Sequence, residues 1–111
     1  MLTEQEFKVA CDQALESLYK SLVRASEESA FDPDMNSGAL SISFEETSPP
    51  AKFVISPQTP VRQIWVSAQS RSFKFDWNAE RGKFVLPGTG QSLKEMLSAA
   101  ITQQLGDSVE L

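Results

Sequence analysis

The sequence predicts an α+β two-layer sandwich, with two helices packed on one face of a mostly antiparallel sheet of about six strands. Three observations lead there: an amphipathic helical pattern near each end of the chain, a run of short alternating segments between them, and turn residues at short intervals within that run. With 111 residues and 41% hydrophobic content the chain can bury one core. Domains of this size bury roughly 65% of their unfolded surface, so residues 1–111 read as one domain.

The first helix is announced by Leu2-Thr3-Glu4-Gln5-Glu6-Phe7. Thr3 as N-cap and Glu6 three residues on spell a capping box, with Leu2 and Phe7 in the hydrophobic-staple positions. Phe7, Ala10, Cys11, Ala14, Leu15, Leu18 and Leu22 recur at helical spacing, so a helix is expected from about Glu4 to about Ala25 with these residues inward. Its outer side carries Glu4, Lys8, Asp12, Glu16 and Lys20, with Glu4–Lys8 and Glu16–Lys20 in the favourable i,i+4 order.

Phe31-Asp32-Pro33-Asp34-Met35 alternates, and Pro33 cannot donate to a ladder, which marks an edge strand. Asn36-Ser37-Gly38 turns it into Leu40-Ser41-Ile42-Ser43-Phe44, a half-buried strand. A third strand, about Lys52 to Ile55, follows the turn containing Pro49 and Pro50, and Pro57 and Pro60 bracket a rigid connector. Strand Gln63–Ala68 comes next. In the strand after it, Phe73, Phe75 and Trp77 alternate with Lys74 and Asp76, placing three aromatics in the core and two charges outside. Lys83 to Leu86 is a further short strand. Pro87-Gly88-Thr89-Gly90 reads as a turn, because the Lys-Ser/Thr pair of a phosphate loop does not follow it. Ser92 and Glu95 form a second capping box, opening a helix whose Leu93, Met96, Leu97, Ala100, Ile101 and Leu105 make an apolar stripe, and Gly106 ends it.

Charge narrows the function classes. The net charge is −5, yet residues 1–46 hold ten carboxylates against three cations and residues 47–111 hold five against seven. The first portion is thus −7 and the second +2. Nucleic acid is an unsuitable partner, since phosphate binding wants a contiguous basic surface, and a basic protein surface or a cation fits better. The lone Cys11 forms no intramolecular disulfide and reads as a small core residue, and without histidine there is no Cys/His zinc set or Cys-His nucleophile. No apolar run approaches the roughly 20 residues of a membrane span, so a cytoplasmic protein without membrane contact is expected. A mature mitochondrial matrix protein shorn of its transit peptide would read the same way.

One residue breaks the binary pattern. In Gln63-Ile64-Trp65-Val66-Ser67-Ala68, the phase of Ile64, Val66 and Ala68 sends Trp65 to the opposite face with Gln63 and Ser67. A tryptophan on a face left open by both helices suits a docking anchor; the competing reading is a helix or loop laid over the ring.

Gln58-Thr59-Pro60, then Gln63-Ile64-Trp65-Val66-Ser67, then Phe75-Asp76-Trp77 resembles the signature of the frataxin family. The opening helix and the closing Thr102-Gln103-Gln104-Leu105-Gly106 are similar to its bacterial branch, so the likeness spans nearly the whole chain. The resemblance implies a non-enzymatic protein of iron–sulfur cluster assembly that binds the cysteine desulfurase and its scaffold protein, regulates sulfur transfer, and carries weakly bound iron. It also implies a monomer, with oligomers arising on metal addition. The family's acidic ridge carries over to Asp12, Glu28, Asp32 and Asp34, with Glu27 and Glu4 beside them, as hard oxygen donors for iron or contacts for a basic partner. Gln58, Gln63, Trp65 and Lys74 carry over as the docking set. Three positions depart from the pattern: Val23-Arg24-Ala25-Ser26 stands where relatives concentrate aspartates, Ser56-Pro57 replaces an asparagine and a basic residue, and Lys74 replaces an arginine. Two other readings stay open, a divalent-metal buffer and a ferroxidase-type enzyme. Against the enzyme, open carboxylates offer neither a buried tuned base nor a closed metal cage.

Overall fold

The computed structural model describes residues 2–36, 38–45, 47, 50–106 and 108–111. Helix α1 spans Glu4–Ser26, strands β1 to β6 span Asp32–Asn36, Ala39–Phe44, Ala51–Gln58, Gln63–Ala68, Arg71–Asn78 and Lys83–Val85, and helix α2 spans Leu93–Leu105. The six strands pair in chain order, every neighbour antiparallel, which makes an open meander. Both helices pack on one face of it and bury their apolar stripes there. Ser37 and Pro49, assigned by the sequence to the turns flanking the second strand, lie outside the described residues.

Each helix starts as its capping box dictates. The Thr3 hydroxyl accepts the Glu6 amide at 3.1 Å while the Glu6 carboxylate accepts the Thr3 amide at 2.9 Å, and Ser92 and Glu95 repeat the exchange at 3.2 and 3.1 Å. These bonds hold the carboxyls of Glu6 and Glu95 below the usual glutamate range. Helix α2 stops at Gly106, whose φ of 79° requires no side chain to clash. Beyond it the tail folds back onto α2. The Thr102 hydroxyl accepts the Val109 amide at 3.0 Å, the Leu111 amide donates to the Ser98 hydroxyl at 3.0 Å, and Val109 is buried.

The core lies between helices and sheet, built from Phe7, Leu15, Leu18 and Leu22 of α1, the inward residues of the strands, and Leu93, Leu97 and Ile101 of α2. Phe84 is its hinge point: the Phe7 ring meets it edge-on at 5.9 Å and the Trp77 ring at 5.1 Å. Cys11 is buried here, and that burial, with the Asp12 charge beside it, pushes the thiol up to about 12. No described helix is long and apolar enough to cross a membrane.

Two expectations need correction. The third strand runs Ala51–Gln58, well past Ile55, and Pro57 pairs with Ile64 inside it instead of opening a connector. The register with β2 ends at Leu40–Ile55, so beyond that point β3 is an edge on the β2 side and tolerates a residue without an N–H. The connector shrinks to one 3₁₀ turn, Thr59–Val61. Among the three aromatics of β5, Phe75 alone is fully buried; Phe73 and Trp77 pack against the core but remain half-buried, because they stand nearer the strand's ends.

Candidate functional site

The open face is read directly from the register. Trp65 stands opposite Ser56 of β3 and Lys74 of β5, and Gln63 stands opposite Gln58 and Asp76. Residues paired across antiparallel strands share a face, so Ser56, Gln58, Gln63, Trp65, Lys74 and Asp76 form one patch on the side away from both helices. All four sequence-predicted docking residues are brought together.

Trp65 is 36% exposed, on a face whose Ser41, Ser43, Ser56, Ser67 and Ser72 are small. Its ring is nonetheless held. The indole Nε1–H donates to Gln63 Oε1 at 2.9 Å, Gln63 Nε2 donates to Asp76 Oδ1 at 2.9 Å, and Lys74 Nζ stands 5.0 Å from the ring centroid. Gln58 Nε2 donates to the Ser56 hydroxyl at 3.2 Å, closing the other flank. A projecting aromatic with few free rotamers loses little entropy when a partner covers it.

Asp76 belongs to the same patch, though the sequence did not place it in the docking set. It anchors the chain of bonds that fixes Trp65. The signal was the hairpin between β4 and β5: Gln69 and Ser70 both have positive φ, 52° and 62°, making a two-residue turn that sets Gln63 against Asp76. Neither residue is the glycine or asparagine that normally advertises such a turn.

The acidic residues lie differently. Asp32 and Asp34 pair with Ser43 and Ser41, which puts their side chains on the open face of edge strand β1. Helix α1 packs beside that strand, with Asp12 exposed on it and Glu27 and Glu28 exposed at its C-terminal end. The sequence-predicted acids therefore fall on edge strand β1 and on the helix packed beside it. Among the described residues no three His, Cys, Asp or Glu side chains are placed to hold a metal ion together. Glu4 and Glu16 are engaged with Lys8 and Lys20 at 3.4 and 3.3 Å. Glu27 and Glu28 sit where the helix dipole is already negative, so this end attracts cations. Arg24 lines the same cavity as both of them, where the sequence lacks the family's aspartates.

Residues 1–107 match the family model described as a Frataxin-like domain. The chain is 32% identical to the iron-sulfur cluster assembly protein CyaY of Azotobacter vinelandii over 111 residues, covering 98% of this chain and 94% of that one. It is 34% identical to the protein of the same name from Pseudomonas entomophila over 103 residues, 91% and 84% of the two chains. Among solved structures, the frataxin from Psychromonas ingrahamii superposes with a TM-score of 0.74 at 29% identity, covering 98% of this chain and 97% of that one.

Proposed function

Because the chain belongs to the frataxin family, in its bacterial CyaY-like branch, we propose that it serves iron–sulfur cluster assembly by binding the cysteine desulfurase and its scaffold protein and regulating sulfur transfer. The observation that carries the docking half of this reading is Trp65, projecting from the open sheet face yet fixed by Gln63, Asp76 and Lys74. The ring supplies desolvation and shape, Gln58 and Lys74 supply polar contacts at its margin, and the acidic residues Asp12, Glu27, Glu28, Asp32 and Asp34 steer a basic partner surface into place. In this reading the protein works as a monomer in the cytoplasm and performs no chemistry of its own.

Iron is cargo in this scheme. Exposed carboxylates on an edge strand and the helix beside it suit a hard cation held weakly through one or two oxygens and water, and metal and basic partner compete for the same charges. The test is a binding titration of the desulfurase with wild type, Trp65→Ala and the Asp32→Asn/Asp34→Asn pair at low and near-physiological salt. Trp65→Ala is expected to weaken the complex by about 1–3 kcal/mol at either salt. The double Asn variant is expected to slow association at low salt only, since screening at about 0.15 M cuts exposed interactions beyond roughly 8 Å. A Trp65→Ala protein that binds as tightly as wild type refutes the docking face.

A further inference from the structure

We propose that the cavity between α1, β6 and the first turn of α2 binds a small amphiphilic anion, a molecule with a compact apolar body and one carboxylate or phosphate. The site lies on the helix side of the sheet, apart from the Trp65 face and those acidic residues, and nothing in the cluster-assembly reading uses it. Its volume is about 270 Å³, with Leu18, Phe84 and Leu93 as apolar walls and Lys83, Lys94, Ser17 and Ser92 supplying polar atoms. The depression opens to solvent, so a ring or short chain would lie along it with its charged head at the rim beside Lys83 and Lys94.

The charge pattern selects the head. No carboxylate lines the cavity. Among the described residues the ion pairs within 4.0 Å are Lys8–Glu4 and Lys20–Glu16, so neither Lys83 nor Lys94 is locked in a close ion pair, although Lys83 lies near enough to Glu95 to help hold that carboxyl down. The nearest acid along α2, Glu95, is turned back to accept the Ser92 amide at 3.1 Å. An adjoining cavity of about 370 Å³ shares Ser17 and Lys94 and adds Lys20 and Arg24 against the single Glu16, so positive charge continues along the α1–α2 groove. Arg24, the departure from the acidic pattern at the end of the first helix, belongs to this groove. An apolar pocket beside two lysines that form no close ion pair complements an anion with an apolar body better than a neutral molecule or a bare ion.

The experiment follows amide shifts by NMR during titration with octanoate, octyl phosphate, octanol and acetate at matched ionic strength. Octanoate, octyl phosphate or both should produce saturable shifts centred on Ser17, Phe84, Leu93 and Lys94, and which of them binds identifies the preferred head. Octanol should bind roughly tenfold more weakly, the difference a charge-assisted hydrogen bond makes, and acetate should not saturate. Lys83→Gln/Lys94→Gln should bring octanoate down to the level of octanol, while Lys52→Gln, on the open face, should change nothing. Octanol binding as tightly as octanoate, an undiminished double variant, shifts confined to the Trp65 face, or no saturation by either anion would overturn the proposal.

Discussion

The two faces of this sheet come from the same strands one residue out of step, and they do different work. On the covered face Phe53, Ile55, Ile64, Val66 and Phe75 are buried beneath the helices, and Trp77 packs its edge on Phe84. On the open face Trp65 rests on a lysine and a glutamine instead. One tryptophan is held by dispersion and removal from water, the other by directional polar contacts that leave the ring available. The covered face therefore sets stability, and if the open face sets recognition as proposed, substitutions should separate the two.

The largest expected effect is on the covered side. Phe84 is buried between Phe7 and Trp77, so Phe84→Ala removes a ring whose neighbours cannot both collapse into the space. We predict a loss of about 3–5 kcal/mol in urea-induced unfolding. Trp65→Ala in the same assay should cost about 1 kcal/mol, since it removes a partly covered ring and its contact with Lys74, while producing a binding loss of about 1–3 kcal/mol. Equal stability losses for the two would erase the distinction. Iodide quenching offers a second check, with the Trp77→Phe protein, which retains Trp65, quenched more strongly than Trp65→Phe.

Next in size is a helix end on the covered side. Ser92→Ala deletes the acceptor for the Glu95 amide and should cost about 1 kcal/mol. The partner carboxylate adds a pH signature. Glu95 is held below its ordinary value of 4.5, first by the hydrogen bond to the Ser92 backbone and then by that to its side chain. A group depressed in the folded state contributes stability above its unfolded pKa and loses it as pH falls through the folded one. The gap between wild type and Glu95→Gln should thus be constant above about pH 4.5 and narrow below it, which thermal melts across that range would show.

How much of this was legible depended on whether local chemistry decided the outcome. Both helices, their caps and the α1 ion pairs follow from residues within four positions of each other, and they stand where the pattern put them. Trp65's exposure was legible because alternation needs no knowledge of the partner strand. The length of β3 was hidden because Pro57 argues locally against a strand, and only the early end of β2 makes room for it. Asp76 was hidden for a related reason: its bond to Gln63 depends on a register set by Gln69 and Ser70, residues without an obvious preference for positive φ. The acidic residues were legible as composition, but which carboxylates come close to one another is a tertiary matter, and Arg24 beside Glu27, Glu28 and Glu110 offsets only part of the negative charge there.

The smallest predicted effect tests what Lys74 contributes to the open face. Its ammonium stands 5.0 Å from the Trp65 ring centroid, on the directly paired position of the neighbouring strand. At an exposed site such a contact is worth about 0.5–1 kcal/mol, and part of that returns as hydration when the lysine is removed. Lys74→Gln should therefore change unfolding stability by less than about 0.5 kcal/mol. Its signature belongs to the ring: without the cation the indole keeps its bond to Gln63 but gains freedom about it, so fluorescence anisotropy decay of the Trp77→Phe background should show faster local motion of Trp65. Asp76→Ala should produce the same loosening from the opposite side by freeing Gln63. If anisotropy is unchanged in both variants, the ring is fixed by backbone and β-sheet geometry alone, and the polar frame around it contributes contacts to a partner but no preorganisation.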